Sequence, residues 1–99
     1  MSATAKALSS KRRQQVLKWL VDPAANFPSQ HTGDLIKDGV CVGFIADKLG
    51  IAQPSATSQM KILQEAGLVT PTRIAQWTFY KRDEAGIKKA LSELSALLE

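Results

Sequence analysis

Side chains that hold metals or catalyse reactions are scarce in this chain. Cys41 is its only cysteine and His31 its only histidine. Soft-metal sites use roughly two to four thiolate or imidazole ligands, so we expect no metal and no other cofactor. We interpret Cys41 as a small buried apolar residue and His31 as an exposed loop residue. Since no nucleophile, base and orienting partner are apparent, we do not expect an enzyme.

Uncharged hydrogen-bonding side chains gather at one end of a predicted helix over residues 53–66, "QPSATSQMKILQEA". The buried face of this helix is predicted to hold Ala56, Met60 and Leu63. Hydroxyls and amides bond base edges and phosphate oxygens, and Gln59 can present a donor and an acceptor together to adenine. A capped, solvated surface helix would show the same pattern. The candidate DNA contacts on this helix are Gln53, Ser55, Thr57, Ser58, Gln59 and Lys61.

Basic residues give the chain a net charge of +4 and a pI near 9.5. Arg12 and Arg13 open a predicted helix, where either could clamp a backbone phosphate. Arg73 and Gln76 flank a predicted hairpin turn, from which they could reach phosphates or the minor groove. Taken alone, each basic cluster is more typical of a solvated surface than of a DNA contact.

The composition, 44 % apolar and 22 % charged, is typical of one soluble globular domain over residues 1–99. No apolar stretch approaches the ~18 residues of a membrane span. The first residues lack a signal-peptide block, and a single cysteine suits a reducing compartment, so we expect a cytoplasmic protein.

The periodicity of apolar residues predicts a mainly α domain with a small β-hairpin. A tight turn between two helices makes a helix-turn-helix, and the hairpin that follows makes a winged helix. The long connection 23–39 is expected to hold a short strand near 34–37. The predicted elements are helices over 3–8, 9–22, 41–50, 53–66 and 83–98 and the hairpin, or wing, over 68–82.

Two aromatic residues, Trp77 and Phe79, alternate on the second strand of the wing. This pattern favours packing beneath the wing, and the alternative is a stacking platform for single strands.

The last helix has two apolar stripes, and one small core cannot easily bury both, so we expect a partner chain there. The candidate interface residues on this helix are Ile87, Leu91, Leu94, Leu97 and Leu98.

The stretches "FIADKLGIAQPSATSQMKILQEAGLV" and "RIAQWTFYKRDE" resemble the ArsR-type family of bacterial winged-helix repressors. The resemblance covers roughly residues 9–98 and is most specific over residues 44–82. It implies a homodimer built on the first and last helices, which adds Leu8 to the candidate interface. It also implies binding to palindromic operators. In many members of the family, a bound metal or metalloid releases the DNA.

The chain departs from the family pattern at several positions. Gln59 stands where relatives often carry histidine, and Ala75 replaces the glycine of the wing. The usual Cys-x-Cys pair is reduced to Cys41, and the last helix has no histidine, so the resemblance implies a member without the usual metal sites.

We therefore predict a homodimeric repressor that reads an inverted-repeat operator in double-stranded DNA with helix 53–66 and the wing. Two alternatives remain at this stage: a winged-helix module that binds protein instead of DNA, and a redox-responsive regulator that uses the thiol of Cys41.

Overall fold

The computed structural model describes residues 2–99, which form six helices and a three-stranded antiparallel sheet. This arrangement confirms the predicted mainly α class with a β-hairpin wing. The helices are α1 (Ala3–Leu8), α2 (Lys11–Trp19), α3 (Pro23–Asn26), α4 (Val42–Leu49), α5 (Gln53–Glu65) and α6 (Glu84–Ala96), and the strands are β1 (Val40–Cys41), β2 (Val69–Ile74) and β3 (Trp77–Arg82).

Helix boundaries follow from capping residues that the sequence supplies. The Ser10 hydroxyl caps the start of α2, and the Asp83 carboxylate accepts a 2.8 Å hydrogen bond from the Gly86 amide at the start of α6. Gly50, in the left-handed conformation with φ 70°, ends α4. Asp22 does more than end a helix, because its side chain caps the short helix α3 that begins at Pro23.

The connection between α3 and α4 differs from the prediction. Residues 35–38 form a turn, because the Asp34 carboxylate accepts hydrogen bonds from the amides of Ile36 (2.9 Å) and Lys37 (2.8 Å). The same two bonds hold the pKa of Asp34 below its usual value. The predicted strand near 34–37 is therefore wrong, and the short strand of this region is β1, which pairs with β3.

The core forms where the two helices of the helix-turn-helix cross. Ala56, Met60 and Leu63 of α5 are fully buried, as their spacing predicts, and so is Ile45 of α4. Each turn of α5 brings one of its three buried apolar residues to the same side. This packing directs the remaining faces of α5 towards solvent.

The sheet has the order β1-β3-β2, and β2 and β3 form the wing. Ile74 pairs with Trp77 across a two-residue turn in which Ala75 has a positive φ of 53°. Phe79 is buried as predicted, but Trp77 is 41 % exposed, so the prediction that it packs beneath the wing is wrong. Trp77 adjoins the turn, at the end of the wing away from β1, which pairs with Tyr80 and Phe79 instead.

Helix α6 joins the domain through a close backbone contact. A Cβ atom on Gly86 would overlap the carbonyl oxygen of Gly67, just beyond the end of α5. Ala90 is the one residue that α6 buries among those the structure describes. Most of the apolar surface of α6 is therefore left uncovered by its own chain. In residues 2–99 no helix is long and apolar enough to cross a membrane.

Candidate DNA interface

The face of α5 opposite its buried residues is polar. Gln53, Ser55, Ser58 and Lys61 are exposed, and Thr57 is half-buried. Ser58 donates a 3.1 Å hydrogen bond to the carbonyl of Pro54, which leaves its oxygen free to accept another. The side chains that the sequence proposes for DNA contact on this face are therefore available at the surface.

The start of α5 has no side-chain cap. Ala52 is the N-cap residue, and its side chain has no oxygen with which to accept a hydrogen bond from the first turn. The backbone amides of Gln53 and Ser55 belong to the first turn, where a helix provides no carbonyl partner. These amides and the positive end of the helix dipole favour a phosphate oxygen at this position.

The tip of the wing carries the candidate residues of the hairpin. Arg73 is exposed, and its Nε donates a 3.0 Å hydrogen bond to the carbonyl of Ala75, so its guanidinium is held beside the turn. Gln76 is exposed within the turn itself. The wing therefore presents a cation and an amide at its outermost point.

The two arginines at the start of α2 lie in different surroundings. Arg12 is exposed, whereas Arg13 is only 9 % exposed. Arg13 donates hydrogen bonds to the carbonyls of Ala7 (2.9 Å) and Lys6 (2.8 Å) and to Oε1 of Gln59 (2.7 Å). This position is at odds with the expected phosphate contact by Arg13, because its guanidinium is occupied inside the protein.

The reason for this burial lies in helical spacing. Arg13 precedes the buried Val16 and Leu17 by three and four residues, so it lies on the inner face of α2. Gln59 is consequently half-buried, with its oxygen engaged by Arg13. The spacing from Arg13 to the apolar residues indicates that Arg13 lies on the inner face of α2, but nothing in the sequence indicates that its partner is Gln59.

Cys41 and His31 lie closer together than the sequence suggests. Both line a cavity of about 160 Å³, together with Phe44, Trp77 and Phe79. The loop reaches this position because the Gln30 amide bonds the Gly39 carbonyl (3.0 Å) and the Cys41 amide (2.7 Å).

The outcome for the two residues differs. His31 is exposed, as predicted, but Cys41 is only half-buried, so its interpretation as a buried apolar residue is wrong. Over residues 2–99 no cluster of three or more His, Cys, Asp or Glu side chains could hold a metal ion.

The candidate interface residues lie on α1, on α6 and just beyond the end of α6, and the two helices contact each other. Leu8, Ile87 and Leu94 are half-buried. Leu91, Leu97 and Leu98 are 62 %, 71 % and 90 % exposed. Leu91 lies on α6 and the other two leucines lie just beyond its end, and a single chain leaves all three apolar side chains in water.

The chain is similar in sequence to one curated protein at high coverage. It is 44 % identical over 84 residues to the uncharacterized HTH-type transcriptional regulator YbzH of Bacillus subtilis strain 168, and the match covers 85 % of this chain and 84 % of the relative. No family model matches the chain.

Solved structures of winged-helix proteins are also similar. The homodimeric winged helix-turn-helix DNA-binding domain Mb0332 of Mycobacterium bovis, a possible ArsR-family transcriptional regulator, is 25 % identical with a TM-score of 0.62, covering 95 % of this chain and 75 % of that one. The transcriptional repressor BigR of Xylella fastidiosa is 28 % identical with a TM-score of 0.58, covering 96 % of this chain and 79 % of that one.

Proposed function

The chain belongs to the ArsR-type family of winged-helix transcriptional regulators, and we propose that it is a homodimeric repressor that binds an inverted-repeat operator. The observation that carries this proposal is the α5 helix. Its apolar side is fully buried, while its polar side and uncapped first turn face solvent. A helix of this kind fits the major groove, which is roughly 12 Å wide.

Base edges would be read from the first half of α5. Ser55 and Ser58 offer hydroxyl groups that accept or donate, and Gln59 offers an amide. The amide groups of the first turn would bind a phosphate and so fix the helix in register with the groove. Gln53 and Thr57, at the edges of the polar side, would bond neighbouring phosphates or bases.

Phosphate contacts would come from the exposed cations. Arg12 of α2, Lys61 of α5 and Arg73 of the wing are exposed. Gln76 at the wing tip would add a neutral hydrogen bond to the backbone or the minor groove. Because cations displace condensed counterions from DNA, the affinity should fall steeply as the salt concentration rises.

The dimer would form through α6 and the neighbouring α1. The exposed leucines on α6 and just beyond its end support this arrangement, and the similar domain Mb0332 is a homodimer. A two-fold dimer places its two recognition helices in successive turns of the major groove, which predicts inverted half-sites roughly 34–36 Å apart.

Selection of bound sequences from a random double-stranded DNA pool tests the proposal directly. We expect enrichment of an inverted repeat whose half-sites lie about one helical turn apart. Band shifts on the selected operator at two salt concentrations should then show the loss of affinity at higher salt. If no sequence is enriched and no shift appears even at low salt, the winged-helix module that binds protein becomes the better account.

The redox-responsive alternative has one observation in its favour, which is the half-exposed thiol of Cys41 in an open cavity beside the wing. Its test compares operator binding by the unchanged protein and by Cys41→Ser before and after peroxide treatment. A response in the unchanged protein that the variant lacks would support a thiol switch, and identical behaviour of the two proteins would exclude it.

A further inference from the structure

We propose that Gln59 contacts DNA only as a hydrogen-bond donor and therefore selects guanine, not adenine, in each half-site. The inference rests on the proposed function, because it assigns a base preference to one residue of that interface. It corrects the expectation that Gln59 offers a donor and an acceptor together, and it follows from the residue on which Gln59 rests.

The oxygen of Gln59 is committed to a buried cation. Oε1 accepts a 2.7 Å hydrogen bond from the Arg13 guanidinium. Arg13 is 9 % exposed, and its other two recorded acceptors are the backbone carbonyls of Lys6 and Ala7 at the end of α1. Gln59 is thus the one side chain among the described residues that accepts a hydrogen bond from Arg13.

The chemistry of arginine settles which way the amide of Gln59 is turned. A guanidinium group has five N–H donors and no acceptor, so the NH₂ group of an amide cannot replace the oxygen beside it. Turning Gln59 over would leave a buried cation without one of its acceptors and would oppose two donors. The oxygen must therefore stay on Arg13.

The nitrogen of Gln59 faces the other way. Nε2 makes no hydrogen bond with any residue in the range 2–99, yet no buried side-chain nitrogen or oxygen in that range lacks a partner. Nε2 is consequently open to solvent. Gln59 lies on the half of α5 that also presents Ser55 and Ser58, so Nε2 can offer two unused N–H donors on the proposed DNA side.

Two donors match one base edge in the major groove better than any other. Guanine offers two neighbouring acceptors, N7 and O6, whereas adenine offers N7 beside an amine that donates. A glutamine free to use both ends would favour adenine. Gln59 held by Arg13 would give adenine a single bond and place its second donor beside the adenine amine.

The variant Gln59→Glu provides a sharp test, because it exchanges the donor that faces DNA for an acceptor at nearly unchanged size, at the cost of one added negative charge. One carboxylate oxygen would remain on Arg13, while the other would replace the NH₂ group with an acceptor. Acceptors select the amine of cytosine. In selections from a random DNA pool, we expect guanine at one position of each half-site for the unchanged protein and cytosine there for Gln59→Glu, each favoured by roughly 5- to 150-fold.

Gln64→Glu is the matched control, since Gln64 is an exposed residue of the same helix and the change in charge is identical. It should weaken binding without changing which base is preferred.

A second measurement uses the unchanged protein and alters the DNA instead. Operators in which the selected guanine is replaced by 7-deazaguanine lack the N7 acceptor, and the unchanged protein should bind them roughly 5-fold or more weakly.

The outcomes separate the two proposals. Three outcomes would overturn the role of Gln59 while leaving an operator-binding protein. The unchanged protein could select adenine at the position that Gln59→Glu alters, or a folded Gln59→Glu protein could keep the original base preference. The unchanged protein could also bind the 7-deazaguanine operator with full affinity. Failure of the unchanged protein to enrich any sequence would overturn the proposed function, and the inference with it.

Discussion

Replacing Leu91 by alanine should weaken the proposed homodimer without harming the folded chain. The Leu91 side chain is 62 % exposed on α6, so its own domain gains little from it. Alanine and leucine have similar, high helix propensities, so α6 should form equally well in the variant. The loss should therefore appear in association and not in the unfolding of the single chain.

The size of the loss follows from the exposed fraction. Complete burial of a leucine side chain is worth about 1.5–3 kcal/mol, so covering the 62 % that is exposed should contribute about 1–2 kcal/mol. A symmetric dimer contains two copies, and alanine retains part of the apolar surface. We therefore expect a loss of about 2 kcal/mol per dimer, which raises the dissociation constant about 30-fold.

Sedimentation equilibrium over a range of protein concentrations measures this constant, and circular dichroism of each sample reports the helix content. Ser92→Ala is the control, because Ser92 is the exposed neighbour of Leu91 and belongs to neither apolar stripe of the helix. An unchanged dissociation constant in Leu91→Ala, with the dimer intact, would refute the assignment of this face to the interface.

Three further predictions concern single positions. Ala75→Gly should stabilise the fold by about 0.5–1 kcal/mol in urea unfolding, since glycine removes the cost of the positive φ of 53°; a loss of stability would contradict this strain. Gly39→Ala should destabilise by at least about 2 kcal/mol in the same assay, because the new Cβ would overlap the Tyr80 carbonyl; near-normal stability would show that the backbone yields there. Arg73→Ala should weaken binding to all DNA sequences alike and reduce the slope of log affinity against log salt concentration by about 1 per protomer. A loss of binding confined to one sequence would argue that Arg73 reads a base.

Periodicity predicted the fold well because the elements that define it are amphipathic. Ala56, Met60 and Leu63 recur at helical spacing, and all three are fully buried. The error near residues 34–37 has a different origin. There a single carboxylate, Asp34, bonds two backbone amides and makes a turn, and such a bond leaves no periodic trace in the sequence.

The candidate interface was harder to predict where side chains bond across elements. Arg13 lies beside Arg12 in the sequence, so both were expected at the surface, yet Arg13 bonds Gln59 from 46 residues away. The cavity beside Cys41 depends in the same way on the two hydrogen bonds of Gln30. Contacts of this kind depend on how helices pack, and a single sequence does not display them.

The backbone contact between Gly86 and Gly67 gives the molecule a stiff joint. Gly67 lies two residues beyond the end of α5, and Gly86 lies in the first turn of α6, so no flexible side chain separates the two backbones at this point. In the proposed dimer, α6 pairs the subunits and α5 enters the DNA. The distance between the two α5 helices of the dimer would then depend directly on how the two α6 helices pair. A shift in that pairing would change which half-site spacing the protein tolerates.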